Sequence, residues 1–345
     1  MQDGTVMIVR HGEGRGRLPG YLQEAFDHLA VSAPALYDRL RFHDTSRPMP
    51  DLTYVRALVF WLGDPLRERY PDCYARAVEI ARAGRERGAR LVNAPESLSN
   101  SIKSVQAARW RAAGIPTPDL QRFADRDELA ALLADADYPL LVRCDVLHSQ
   151  QGMHLVADRA AAERLLASDL KYPGAVGPFI DTRAGYRASA PGSAWARYFH
   201  KKRTFVFGDI VLTNHAYFSE QPIVGLSACT FSWYTGRVRR RLGSLLRIFP
   251  ADRACLAADL AFSAGEPECA DVMRRAARAL DFEFCAIDYA TFADGRVVLW
   301  EANPYFFLHR VGRGVLPRER DLERRTRRVY DRIGTFFASL LGGAS

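Results

Sequence analysis

The chain lacks any apolar run near the ~18 residues that a membrane-spanning helix requires. Its first residues, Met-Gln-Asp-Gly-Thr, carry neither the basic nor the apolar region of a secretion signal, so the expected location is cytoplasmic. Six cysteines (Cys73, Cys144, Cys229, Cys255, Cys269, Cys285) include no Cys-x-x-Cys pair, which argues against a zinc cluster and a disulfide framework. There is no Gly-Lys-Ser/Thr phosphate loop, and no Gly-x-Ser-x-Gly or Cys/His signature of a protein nucleophile. Internal repeats and low-complexity linkers are also missing.

What is present is enough apolar material, 48% of 345 residues, to bury the core of a unit with two or three lobes. The net charge of +8 suits anionic ligands such as nucleotides and carboxylates, and leaves nucleic acid as an alternative partner.

Residues Asp288 to Asn303 carry the sharpest signal. Two apolar runs, Phe284 to Phe292 and Val297 to Trp300, flank Asp294-Gly295, a type I′ hairpin signal. A two-residue turn there sets Asp288 opposite Glu301. Strand alternation then points Asn303 to the same face. Like charges opposite each other are destabilising, so the arrangement asks for a cation, and oxygen ligands of this kind favour Mg²⁺.

Asp288 followed by strand, turn, strand and Glu301-Ala-Asn303 resembles the metal-binding end of the ATP-grasp superfamily, whose members hold Mg-ATP between two α+β lobes. The resemblance runs through Lys103, Tyr138-Pro139-Leu-Leu-Val-Arg143 and Lys201-Lys202-Arg203, and covers roughly residues 100 to 310. It implies Asp288, Glu301 and Asn303 as metal ligands. It implies Lys103, in the first turn of a helix from Asn100 to Gly114, as a phosphate contact. Arg143 follows a strand over Leu140 to Val142 and is a second phosphate contact through its bidentate fork. The segment from Cys144 to Met153, with His148, Ser149 and Gly152, corresponds to the family's loop over the phosphates, although it has one glycine and Cys144 stands where proline is usual. Val176 to Asp181 corresponds to the hinge that meets adenine, with backbone groups near Phe179 and Ile180 on the base and Asp181 toward the ribose. A plain buried strand accounts for the same letters.

Arg197 to Phe207 and Ile210 to Ala216 flank Gly208-Asp209, a II′ hairpin signal. Alternation puts Arg197, Lys201 and Arg203 on one face, with Asn214 opposite Arg203, and puts Lys202 opposite His215 on the other. By resemblance Arg203 faces the transferred phosphoryl group and is the catalytic candidate, Lys201 is an ATP contact, and His215 is a substrate candidate.

The N-terminal third reads as alternating strands and helices: strands at Thr5 to Val9, Ala57 to Leu62 and Arg90 to Asn93, and a helix from Pro71 to Arg87. That pattern implies a parallel, Rossmann-like α/β lobe. Ligands gather beyond the carboxyl ends of such strands, which makes Arg10, His11 and Gly12 substrate candidates. Residues 220 to 267 give mixed signals. Phe231 to Tyr234 and Arg237 to Arg241 fit either a nucleic-acid surface or a helical cap over the substrate. Arg318 to Leu341 reads as an amphipathic helix.

The expected fold class is therefore α/β, an ATP-grasp fold with a pre-ATP-grasp lobe over residues 1–98, a nucleotide lid over 99–180 and a metal-carrying lobe over 181–345. The implied chemistry is ATP-dependent ligation of a small-molecule or peptide carboxylate to an amine acceptor through an acyl phosphate. A phosphotransferase or a non-catalytic nucleotide-binding protein is the alternative. ATP and Mg²⁺ are the expected cofactors, no membrane is involved, and a homodimer is compatible with the chain.

Overall fold

The structure is a computed structural model that describes residues 4–11, 20–147, 152–183, 193–225, 250–306, 308 and 317–342. The candidates Gly12, His148 and Ser149, and the stretches Phe231 to Tyr234 and Arg237 to Arg241, lie outside the described residues.

Among the described residues, three four-stranded sheets form the framework. In the first, β1 (Thr5–Arg10), β2 (Leu40–Asp44), β3 (Val55–Phe60) and β4 (Arg90–Val92) run parallel in the order β2-β1-β3-β4. The apolar runs Val6 to Val9 of β1 and Ala57 to Phe60 of β3 suit strands covered on both faces, and Val6, Ile8, Val9, Ala57, Val59 and Phe60 are fully buried. Helices α1 (Gly20–Ser32), α2 (Pro34–Tyr37), α3 (Leu66–Arg69) and α4 (Pro71–Glu86) connect these strands. Sequence reading overlooks β2, because Leu-Arg-Phe-His-Asp is half polar and lacks a flanking turn signal.

A 3₁₀ stretch, Pro95–Ser101, leads into α5 (Lys103–Ala112), so the α-helix begins three residues later than expected, with Lys103 as its first residue. Gly114, at φ 65°, ends it in the left-handed conformation that glycine adopts at low cost. The second sheet is antiparallel in the order β5-β8-β6-β7, from β5 (Gln121–Phe123), β6 (Leu140–Cys144), β7 (Met153–Val156) and β8 (Gly174–Pro178). Helices α6 (Arg126–Ala134) and α7 (Arg159–Leu166) are N-capped by Asp125 and Asp158, whose carboxylates accept from Glu128 and Ala161 amides. This sheet has its own core of Phe123, Leu129, Leu133, Val142, Leu165 and Val176.

The third sheet, order β10-β9-β11-β12, comprises β9 (Phe199–Phe207), β10 (Ile210–Ser219), β11 (Phe284–Thr291) and β12 (Val297–Asn303). Around it lie α8 (Ala194–Arg197), α9 (Pro250–Ala264), α10 (Ala270–Ala279) and α11 (Pro317–Leu341). Arg197 falls in α8, so it does not share a strand face with Lys201 and Arg203 as alternation suggests. On α11 the apolar stripe Val329, Ile333, Phe336 and Phe337 is buried against Phe205, Phe207 and Phe284 of this sheet and Phe26 and Trp61 of the N-terminal unit. Asn93, at φ 51°, adds a polar link: its side chain donates to Phe284 O at 2.6 Å and accepts from the amides of Glu283 and Phe284. No helix among the described residues is long and apolar enough to cross a membrane.

Candidate functional site

The hairpin of β11 and β12 pairs Asp288 with Glu301, as expected, through a different turn. Near the loop Thr291 pairs with Val297, the Phe292 amide donates to Arg296 O, and Gly295 sits at φ 83°. This is a three-residue loop closed by a left-handed glycine, where the sequence reads as a two-residue turn. The one-residue offset is undone by a bulge: Tyr289 pairs with Leu299 and Asp288 with Glu301, so Trp300 is the extra residue.

The strand on the other side of β11 supplies the counter-charges. Arg203 pairs with Asp288 in the ladder and grips it bidentately, Nε to Oδ1 at 2.7 Å and Nη2 to Oδ2 at 2.9 Å. Lys201 Nζ donates to Oδ2 at 2.8 Å. Burial alone would raise the Asp288 carboxyl, but Arg203 and Lys201 outweigh it and hold the group below the ordinary carboxylate value. Burial likewise works against the Arg203 charge, yet Asp288, Tyr217 and Glu301 push its pKa up and the guanidinium stays charged. The cation that two facing carboxylates require is thus supplied by side chains. Asp288 still has capacity, since three of its roughly four lone-pair sites are used.

Glu301 is met from the opposite side. Arg143 Nη2, at the end of β6, lies 3.1 Å from Oε2, and Lys103 Nζ lies 3.4 Å from the same oxygen. Asn303 Nδ2 donates to Oε1 at 3.3 Å, which places Asn303 on the expected face. Lys103 is carried there by α5. One turn later on that helix, Gln106 exchanges two hydrogen bonds with the backbone of Ala302 and so completes the open edge of β12 like another strand. The Lys103 side chain is 1% exposed, and its ammonium has no hydrogen-bond partner among the described residues. A buried ammonium in that condition is poised for an anion. The anion expected at the helix N-terminus is in part internal. Asp145, fully buried just after β6, accepts from the Ser104 amide at 2.8 Å and hydroxyl at 2.5 Å. Sequence reading overlooks Asp145, although an acid directly after the phosphate strand is a usable signal.

Other candidates sit apart from this row or in altered partnerships. Gly152, at φ 66°, accepts from the Cys144 amide and closes the β6–β7 connection. The Phe179 amide donates to Pro139 O, the strand there ends at Pro178, and Asp181 is paired with Arg183 at 2.5 Å. Arg10 is ion-paired with Asp44. His11 accepts from the Gly63 amide at 2.6 Å and packs edge-on to Tyr70 and Tyr305, two residues beyond Asn303. Burial lowers its pKa to about 4, so it is neutral.

A bulge also corrects β10. Thr213 pairs with Thr204, but the next pair is His215 with Arg203, so Asn214 is the extra residue and His215 joins the face of Arg203. Tyr217 follows it on that face, 5.8 Å from Lys201 Nζ and 6.0 Å from Arg203 Cζ measured to the ring centre. Lys202 points to the back of the sheet, where it is buried among Thr291, Glu268, Trp195 and Phe262.

Four cations around two carboxylates and an amide thus line one sheet face between α5 and β6. Two carboxylates are a sparse donor set that suits Mg²⁺, which completes its shell with water and phosphate oxygens. Among the described residues no cluster of three His, Cys, Asp or Glu side chains offers a richer site.

No protein-family model matches the sequence, and no curated protein matches it. Solved structures do match. The ATP-grasp ligase PsnB complexed with a minimal precursor superposes with a TM-score of 0.50 at 14% identity, over 97% of this chain and 100% of that one. PsnB with precursor peptide PsnA2 and AMPPNP gives a TM-score of 0.50 at 14% identity, over 97% and 98%. PsnB with minimal precursor, Mg and ADP gives 0.50 at 14% identity, over 93% and 98%. A likeness that spans nearly the whole of both chains at so low an identity establishes architecture: the chain has the ATP-grasp fold.

Proposed function

We propose that this chain is an ATP-dependent ligase that activates a substrate carboxylate as an acyl phosphate, joins it to an amine or related nucleophile, and releases ADP and phosphate. The observation that carries the reading is the row Arg203, Asp288, Glu301, Lys103 across one sheet face, with the Lys103 ammonium buried beside the carboxylate and, among the described residues, without a hydrogen bond. Solved PsnB structures with AMPPNP, or with Mg and ADP, support the choice of ATP and Mg²⁺ for this fold.

In this reading the parallel sheet, residues 1–98, faces the substrate, residues 99–180 cover the nucleotide, and residues 181–345 carry the metal ligands. Asp288, Glu301 and Asn303 would hold Mg²⁺, which supplies charge neutralisation at the phosphates. Lys103 and Arg143 bind phosphate oxygens, and Lys201 neutralises charge beside them. Arg203, locked by Asp288, stabilises negative charge that shifts onto the transferred group. Positioning and charge are the whole contribution of these side chains, because the substrate carboxylate is itself the nucleophile. Neutral His11, with Tyr70 and Tyr305 between the parallel sheet and the end of β12, is placed to line the substrate side.

The test is an assay of ADP release against a panel of carboxylates with hydroxylamine as acceptor. Hydroxamate that accumulates with ADP identifies the acid and supports the ligase. ADP formed with a stable phosphorylated product and no hydroxamate replaces the ligase by a phosphotransferase. ADP formed with neither product overturns the reading.

A further inference from the structure

Asp288 and Glu301 hold four side-chain cations between them: Arg203 and Lys201 on Asp288, Arg143 and Lys103 on Glu301. Four positive charges against two negative ones leave an excess of two. Neighbouring acids do not cancel it, because Asp145 lies 3.7 Å from Arg122 and Asp259 accepts from Arg325 at 2.8 Å. Segments 12–19, 148–151, 184–192, 226–249 and 309–316, outside the described residues, hold ten arginines and one acid, Glu13, so their composition adds to the excess. None of the six charged side chains at the pair is more than 19% exposed, and salt screens such groups weakly. A bare Mg²⁺ that approaches this row meets net repulsion.

The carboxylate oxygens are also occupied. Mg²⁺ binds oxygen at about 2.0–2.1 Å and needs a lone pair directed at it. Asp288 accepts three hydrogen bonds, while Glu301 meets Arg143 and Lys103 at Oε2 and Asn303 at Oε1. A metal can enter only as some of these donors leave. The four cations are not held alike. Arg203 is clamped by two hydrogen bonds, and Lys103 is shut in at 1% exposure. Lys201 and Arg143 each give a single hydrogen bond to the pair, and Arg143 keeps a buried Nε with no partner among the described residues. A nucleotide polyphosphate supplies what would draw them off: acceptor oxygens, and more negative charge than the row has in excess.

We propose that Lys201 and Arg143 are placeholder cations, which close the Asp288–Glu301 pair to free Mg²⁺ and release it when nucleotide phosphates take up their donors, so that the metal is bound only together with the nucleotide. The inference rests on the function proposed above. By linkage, nucleotide raises metal affinity by the same factor as metal raises nucleotide affinity.

The experiment uses Mn²⁺, which shares the preference of Mg²⁺ for carboxylate and water oxygens, and reads the bound ion from water-proton relaxation. Only Mn²⁺ whose binding is lost in Glu301→Gln is counted. Wild type without nucleotide is expected to bind Mn²⁺ at least ~30-fold more weakly than wild type with ADP. The double variant Lys201→Met/Arg143→Met, without nucleotide, is expected to bind Mn²⁺ at least ~10-fold more tightly than wild type, while its affinity for ADP in EDTA falls. Affinities that move in opposite directions mark a placeholder, since a merely structural loss lowers both. Should the double variant not fold, each single variant is expected to shift both affinities in the same directions, and Arg143→Lys, which keeps the charge, to stay within about threefold of wild type for Mn²⁺. Wild type that binds Mn²⁺ equally with and without ADP overturns the inference and leaves the proposed function standing, as do folded variants that gain no Mn²⁺ affinity. Wild type that binds no ADP in the presence of Mn²⁺ removes the underlying reading and this inference with it.

Discussion

At Lys103 an ammonium group is kept from water with Glu301 3.4 Å away, Arg143 beside the same carboxylate, and no hydrogen bond of its own among the described residues. Removal of one member of a buried pair leaves the other uncompensated, which typically costs more than the pair contributes. Glu301→Ala should therefore lower stability by on the order of 3 kcal/mol, even though it relieves the repulsion with Asp288. The double variant Lys103→Met/Glu301→Ala should recover most of that loss in denaturant unfolding. Additive losses would show that Lys103 does not depend on Glu301. Buried histidines give a second residue-level expectation. The folded values of His11 and His200 are lowered by burial from 6.5 to about 4. Above pH 6.5 neither state holds the proton and the full stability is present; as the pH falls toward 4, the unfolded chain takes up protons that the fold refuses. Stability should thus decline across that window by roughly 1.4 kcal/mol per pH unit for each group. Unfolding free energies at about pH 7 and about pH 5 should differ less in His200→Asn than in wild type, and an unchanged difference would contradict the account.

The elements show how far pattern carries. Period-two alternation and an Asp-Gly signal are enough to bring Asp288 opposite Glu301, and Asn303 to their side. They are not enough to reveal why, because a three-residue loop at Gly295 and a bulge at Trp300 are two irregularities that cancel in the register. In β10 a single bulge has nothing to cancel it, so Asn214 is displaced and His215 takes its place opposite Arg203. Bulges depend on tertiary fit and leave little mark in the local sequence. The start of α5 was similarly hidden. Its position is set by Asp145, 41 residues away in sequence, which satisfies the Ser104 amide and hydroxyl. Asp145→Ala should cost about 2 kcal/mol by leaving those donors buried without a partner, and should weaken nucleotide binding by moving Lys103. Calorimetric ADP affinity measured beside unfolding separates the two effects. Unaltered affinity would mean that Asp145 does not position Lys103.

For the whole molecule, the legible part was the class: strands alternating with helices in the first hundred residues, then a middle unit with single strands before Arg143 and around Phe179, and a last unit with two hairpins that carry the acids, Lys201 and Arg203. The contacts that join these units were not legible, since they are made by residues far apart in the chain. α11 buries Phe336 and Phe337 against both the β9–β11 face and the first unit, and Asn93 ties β4 to the start of β11. Together they hold the parallel sheet, with His11 at its carboxyl end, close to the residues that follow Asn303. Segments 12–19, 148–151 and 226–249 lie outside the described residues, so the contributions of Gly12, His148 and Ser149 rest on the sequence alone.

The central claim is that Asp288, Glu301 and Asn303 hold a metal against nucleotide phosphates. It is tested most directly by thermal unfolding of wild type and Asn303→Leu with ADP, in Mg²⁺ and in EDTA. Asn303→Leu removes the proposed third metal ligand while it leaves Asp288 and Glu301 with their cations. In wild type, ADP at about one hundred times its dissociation constant should stabilise the fold by about 2.7 kcal/mol when Mg²⁺ is present, and far less in EDTA. In Asn303→Leu the two conditions should converge. Equal stabilisation of wild type with and without Mg²⁺, or a full Mg²⁺ effect in Asn303→Leu, would contradict the account.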